Sequence, residues 1–228
     1  MSVTVGATTA QTPSQANFGS LKGSVAAYVQ GQNLPSVLSD SGIAVNAAID
    51  HLNTRNWHWL GRQGTITLTA DTRTYSVPAN FKRPRKFSKL DTNSKTVGRY
   101  DYLIPKVFLD CDFDNTASGS PTVYTVRNAS DDRLLTFDVP PSTAFATSWP
   151  TGTLSYFARM QHFADDGDTI GDLLAPPDVR NFLLWYARWE MAGIRGTATQ
   201  VQEADRAWNR AWVALMKDDT NEQTDWSI

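Results

Sequence analysis

The run DCDFDN at residues 110–115 sets carboxylates at alternate positions, Asp110, Asp112 and Asp114. Oxygen ligands at every second residue are how a calcium loop begins, but such a loop also needs glycine at its sixth position and a bidentate glutamate at its twelfth. Asn115 and Pro121 stand there instead. An aspartate-based phosphotransferase would want Thr or Val where Asp114 falls. The expectation is therefore a strand whose aspartates face solvent while Cys111 and Phe113 point inward. The histidines His51, His58 and His162 make no HExxH or other ligand-spaced set. No serine sits in a GxSxG setting, and the glycines form neither GxGxxG nor a P-loop. These residues give no catalytic group, no metal site and no cofactor site, and the protein is expected not to be an enzyme.

Two other runs carry interaction chemistry. FKRPRKFSK (residues 81–89) gathers Lys82, Arg83, Arg85, Lys86 and Lys89. It reads as a solvated turn between two strands, with Lys82, Arg83, Arg85 and Lys86 the candidates for contact with a partner or with DNA phosphates. NFLLWYARWEMAG (residues 181–193) is apolar almost all the way round, broken only by Arg188 and Glu190 near its centre. As a helix it places Val179, Phe182, Tyr186 and Trp189 on one face, and Leu184, Trp185, Arg188, Met191 and Ala192 on another. A helix on one core needs an apolar stripe over about a third of its circumference. Burying a large side chain is worth roughly 1.5–3 kcal/mol, so both faces must be covered, by the chain itself or by a second subunit. Trp185 and Trp189, with Trp208 and Trp212 further on, are the residues expected to pack within the helices or between subunits.

Composition bounds the rest. The chain has 228 residues, 41% hydrophobic and 19% charged, with a formal net charge of -2 and a pI near 5.9. That is globular rather than disordered, and it argues against electrostatic nucleic-acid binding as the main role. No apolar run is long enough to span a bilayer. Residues 1–17 are small, polar and uncharged, without the pattern of a signal peptide. The one cysteine excludes an internal disulfide and fits a reducing compartment. Asn128-Ala129-Ser130 has the form of a glycosylation sequon, which lacks a secretion signal to give it meaning.

The period of the apolar residues changes twice along the chain. SLKGSVAAYVQ suggests a short helix, and a longer one follows Pro35, capped by Ser36, with Val45, Ala48, Ile49, Leu52 and Trp59 along one face. TITLTA, YSVP, KFSKLD, VFLDCDF, TVYTVRN, RLLTFDV and TLSYFARM are short, alternating and divided by turn residues, the pattern of a small antiparallel β-domain. NASDDR reads as a hairpin loop. Helix then returns after Pro176 and Pro177, ending at Gly193 or Gly196. Thr199 with Gln202 offers a capping box for a last helix, in which Val201, Ala204, Trp208, Trp212 and Leu215 form a stripe. The expected fold is α+β: an antiparallel helical bundle of N- and C-terminal helices (residues 18–61 and 170–217), an inserted small antiparallel β-domain (62–169), a flexible leader (1–17) and an extended C-terminal tail (218–228).

Several stretches, in order, resemble the head-to-tail adaptor (connector) proteins of tailed bacteriophages, the tail tubular protein A type among them. They are AVNAAIDHLNTRNWHWL, GTITLTADTRTYSVPANFKRPRKF, SPTVYTVRNASDDRLLTFDVPPS, TLSYFARM and LLAPPDVRNFLLWYARWEMAG. The resemblance implies a structural virion protein at the head–tail interface, a homo-oligomeric ring, usually dodecameric, that binds the portal protein. It implies tail nozzle or other tail proteins as further partners, transient contact with genomic double-stranded DNA in a continued channel, no membrane, and host cytoplasm as the place of assembly. It further implies a portal-gripping C-terminal tail, whose candidates here are Asp218, Trp226 and Ile228. Two other readings compete: a tail-completion or baseplate component, and a carbohydrate- or peptide-binding β-domain. The second needs an exposed aromatic platform, for which Tyr100, Tyr102, Phe108, Tyr124, Phe137, Trp149 and Tyr156 are the available rings.

Overall fold

In the computed structural model, which describes residues 17–31, 34–111, 113, 117–129, 132–170, 176 and 178–225, Asn17 starts the first helix. Its side chain accepts from the Ser20 N–H at 2.8 Å, and α1 (Phe18–Tyr28) follows. Helix α2 (Pro35–Asn53) starts differently. Pro35 itself occupies the first turn, where its missing N–H costs nothing, so Leu34 is the cap and Ser36 lies inside the helix. Val45, Ala48, Ile49 and Leu52 are buried along one face as their spacing predicts. Trp59 is not on that face; it sits in a single 3-10 turn (His58–Leu60) beyond the helix end.

The chain divides into two compact units, residues 1–55 with 161–228, and residues 56–160. In the first, four helices pack together: α1 on α2, and both on α5 (Asp178–Arg195), which in turn carries α6 (Ala198–Asp225). Gly196 makes the short α5–α6 connection, its N–H donating to the Ala192 carbonyl at 2.8 Å. A Cβ there would lie 2.7 Å from the Ala192 Cα, so only glycine fits. Thr197 and Gln200 then cap α6 reciprocally: the Thr197 N–H donates to Gln200 Oε1 at 2.8 Å and the Gln200 N–H to Thr197 Oγ1 at 3.3 Å. The expected capping box lies two residues earlier than Thr199 and Gln202, because TATQVQ contains the motif in two overlapping registers. Phe163 ties the returning chain to α2 by exchanging hydrogen bonds of 3.0 and 3.1 Å with the Asn46 amide, and its ring lies 5.2 Å from Phe18.

The second unit holds a seven-stranded sheet in the order β1-β7-β3-β4-β5-β6-β2. The strands are β1 (Gly61–Thr67), β2 (Thr74–Ser76), β3 (Phe81–Leu90), β4 (Thr96–Tyr102), β5 (Val123–Ala129), β6 (Asp132–Phe137) and β7 (Thr151–Ala158). Neighbours run antiparallel except β4 and β5, which are parallel. Burial alternates strictly along β7, so one face of the sheet is inward. Phe87, Tyr100, Tyr124, Leu135, Phe137 and Leu154 fill that side, with Phe87 and Tyr100 rings 4.7 Å apart and Tyr100 and Phe137 4.9 Å apart.

This corrects the expected fold class. The chain is a mixed α+β protein with six α-helices and seven strands among its described residues, not a helical bundle carrying a small antiparallel β-domain. The sheet is larger because the basic run lies within the ten-residue strand β3 rather than in a turn, and because the stretch TVGRYDY supplies β4. Val107–Asp110 are not strand: Pro105 opens a short helix, α3 (Pro105–Asp110), and Cys111 beyond it is exposed rather than inward. A second short helix, α4 (Thr143–Ser148), is capped by the Ser142 hydroxyl. The extended tail from residue 218 is corrected as well, since α6 continues through Asp225 and Asp219 is buried. Asp112, Asp114, Asn115, Ser130, Asp131, Pro177, Trp226, Ile228 and residues 1–16 lie outside the described residues.

Candidate functional site

Helix α5 uses both of its aromatic faces inside its own unit. On one, Phe182, Tyr186 and Trp189 meet Trp208 and Trp212 of α6, with ring separations between 5.3 and 6.3 Å. His51 of α2 enters the middle of this group, 4.9 Å from the Trp212 ring and 5.1 Å from Tyr186. Burial among these rings lowers the imidazole's pKa, because the charged form is the one that loses water. On the other face the Arg188 guanidinium lies over Trp185 at 4.5 Å and over Tyr28 of α1 at 5.1 Å. The Tyr28 hydroxyl has one proton and two acceptors in reach, the Gln200 carbonyl at 2.8 Å and the Glu203 carboxylate at 3.2 Å. Burial, then Glu203, raises its pKa. The spacing of the tryptophans was readable, but the contribution of His51 was not, since it comes from a helix about 130 residues away in the chain.

Phe182, Leu183, Ala187 and Met191 are buried, whereas Trp185, Trp189, Trp208 and Trp212 are each half-buried. The four tryptophans therefore both pack the helices and show an edge outward. Trp208 adds a buried indole N–H with no hydrogen-bond partner among the described residues.

The basic run is displayed by a strand. Register shifts between Phe81 and Arg83 and between Pro84 and Lys86 make two bulges in β3. They fall where β3 pairs only with β7, since β4 joins from Phe87 onward; proline is tolerated on such an edge. Arg133 of β6 closes the edge by donating to the carbonyls of Phe81 and Lys82. Arg83, Arg85 and Lys86 are exposed and Lys82 is half-buried. Burial and then the nearby Arg159 lower the pKa values of both Lys82 and Arg133. Arg133 and Arg159 were not among the expected basic residues, because only the sheet brings them to β3.

The remaining candidates scatter. His162 pairs with Asp50 at 2.8 Å and His58 stands 6.1 Å from the Phe157 ring. The three histidines thus go to three places, and no group able to hold a metal ion is found among the described residues. Of the seven rings considered for a sugar or peptide platform, Tyr100, Phe108, Tyr124, Phe137 and Tyr156 are buried and Trp149 is half-buried; Tyr102 is exposed. Asp218 is half-buried within α6. No helix among the described residues is long and apolar enough to cross a membrane.

Residues 16–227 match the family model described as SU10 adaptor protein. No curated protein matches the chain. The match spans the four packed helices and the whole sheet, so it speaks for the combined architecture and not for one motif.

Proposed function

The chain belongs to the SU10 adaptor protein family, a phage structural adaptor, and from that premise we propose that it joins the portal to the tail as a homo-oligomeric ring, continuing the path of the DNA. The observation that carries this reading is the family match over nearly the whole chain. The physical chemistry of the surface agrees with it. Half-buried tryptophans on α5 and α6 present aromatic edges of the type enriched at protein interfaces. A net charge of -2 keeps long-range attraction for passing DNA small. The tail end of the chain, from Asp218 to the last residues Trp226 and Ile228, is the segment proposed to hold the portal, with the tryptophan as a pocket-filling anchor. As an adaptor the protein would be a virion component assembled in the host cytoplasm, with portal and tail proteins as partners and no chemical step to perform.

Co-sedimentation with portal rings tests this. The full chain is expected to travel with the portal, and a variant lacking residues 226–228 to remain folded and stay in the supernatant. Deletion of 226–228 without effect on co-sedimentation would remove the anchoring role; failure of the full chain to bind portal would remove the adaptor reading itself.

A further inference from the structure

Strand register and one ring contact place four cations on one side of the sheet. Along β7, Gly152, Leu154, Tyr156 and Ala158 are the buried positions. Their β3 partners Lys89, Phe87, Pro84 and Phe81 face the same way, Lys89 lying over the Tyr100 ring, which leaves Arg83, opposite Phe157, and Lys86, opposite Ser155, on the outer face. Ser88 continues that row and pairs with Arg99 of β4. Arg83, Arg85, Lys86 and Arg99 are all exposed.

Arg85 falls in the second bulge and is placed on this face by its contact with a ring. Its guanidinium carbon is 5.0 Å from the Phe157 ring centroid. Gly61 of β1, which pairs with Phe157 of β7, makes the room: a Cβ there would lie 3.0 Å from an Arg85 guanidinium nitrogen. Between and beside the cations stand Gln63, Thr153 and Ser155, exposed or half-buried side chains that can donate to an anion, while Ser88 in the same row is buried. Asp101, exposed on β4 two residues past Arg99, marks the margin.

From this face we infer a binding surface for the phosphate backbone of duplex DNA, read without regard to base sequence. The choice over an acidic protein partner rests on composition. Protein-interface cores are depleted in charge and carry large apolar anchors, and here the apolar component is Phe157, covered by Arg85. Protein–DNA interfaces are more polar and far more positive, and hydroxyl and amide donors beside arginines are the usual phosphate contacts. Four contacts of this type hold DNA weakly and yield to salt, so a passing duplex is touched without being arrested. The inference adds a surface to the adaptor reading but needs only the sheet, so free duplex can test it apart from the portal.

The experiment is fluorescence anisotropy of a short random-sequence duplex titrated with the full chain at several salt concentrations. Neutralising about four phosphates predicts a slope of log K against log salt near -3.6, hence about 150-fold weaker binding on a fourfold rise in salt. The pair Lys86→Gln with Arg99→Gln should lower the slope by about two. Adding Arg83→Gln and Arg85→Gln should abolish binding, with melting temperature as the check that the sheet is intact. A wild-type slope shallower than about -1, an unchanged slope in the double variant, or stronger binding to poly-glutamate than to the duplex would each overturn the proposal, the last in favour of an acidic protein partner. Because portal co-sedimentation is read separately, loss of one result leaves the other standing.

Discussion

The α5–α6 aromatic group and the outer face of the sheet are the two places where this chain concentrates unusual residues, and they use them in opposite ways. In the first, Phe182 is fully buried and Tyr186, Trp208, Trp212 and His51 close around it. The helix could not hold its place without its neighbours, and stability is the direct consequence. In the second, Arg83, Arg85 and Lys86 of β3 and Arg99 of β4 stand on strands whose fold is fixed from the other side by Phe87, Tyr100 and Leu154. Those cations can be removed with the sheet left intact. Interior aromatic residues decide whether the unit folds; the exposed cations decide what it meets.

The sharpest break in that comparison would come from Phe182→Ala. Truncating a fully buried ring should cost about 3–5 kcal/mol, measured by chemical denaturation; a loss below about 1 kcal/mol would mean the aromatic group is held by something other than its own packing. Trp208→Ala should cost less, about 2 kcal/mol, because the half-buried ring leaves part of its surface in water in either state. An effect as large as that of Phe182 would show that Trp208 is more enclosed in the working assembly. Thr197→Ala should lose about 1 kcal/mol by opening the capping box at the start of α6, while Thr199→Ala should be close to neutral; equal losses would contradict the observed register.

Protonation probes the same region. His51 has a lowered folded pKa, so the unfolded chain takes up the proton more readily. Its contribution to stability is therefore present above the imidazole's ordinary value, about 6.5, and declines as pH falls through it. His51→Phe should flatten the part of the pH–stability curve between about pH 7.5 and 5.5; identical curves would place the histidine in water. The smallest effect belongs to the other region. Lys86→Gln with Arg99→Gln should leave stability within about 0.5 kcal/mol, and a larger loss would make those cations part of the sheet's own support.

Helices were more legible than strands, for reasons visible in particular residues. Val45, Ala48, Ile49 and Leu52 of α2 and Ala204 and Leu215 of α6 repeat at helical spacing and are buried. Alternation also exposed β5, β6 and β7. What failed was local composition against tertiary context. FKRPRKF looks like a turn because lysine and proline are poor strand formers, yet β7 pairs with Phe81, Arg83, Pro84, Lys86 and Phe87, and the bulges fall at Lys82 and Arg85 between them. VFLDCDF looks like a strand because it alternates, yet Pro105 starts a helix that lasts only six residues. Strand order was out of reach altogether: β1 lies beside β7 and β4 runs parallel to β5, pairings fixed by the packed sheet and not by any neighbouring residue. For the same reason Lys82, Arg83, Arg85 and Lys86 were visible as a cluster, whereas Arg99 joins them only once β4 is in register.

The central claim is that this family member acts by assembling with other phage proteins rather than by chemistry on a small molecule. Native mass measurement of the purified full-length protein, alone and mixed with portal rings, tests it most directly. The account predicts a discrete complex in which many copies of the chain load on one portal ring. A protein that stays a single copy in the presence of portal, at concentrations where portal rings are intact, would contradict it.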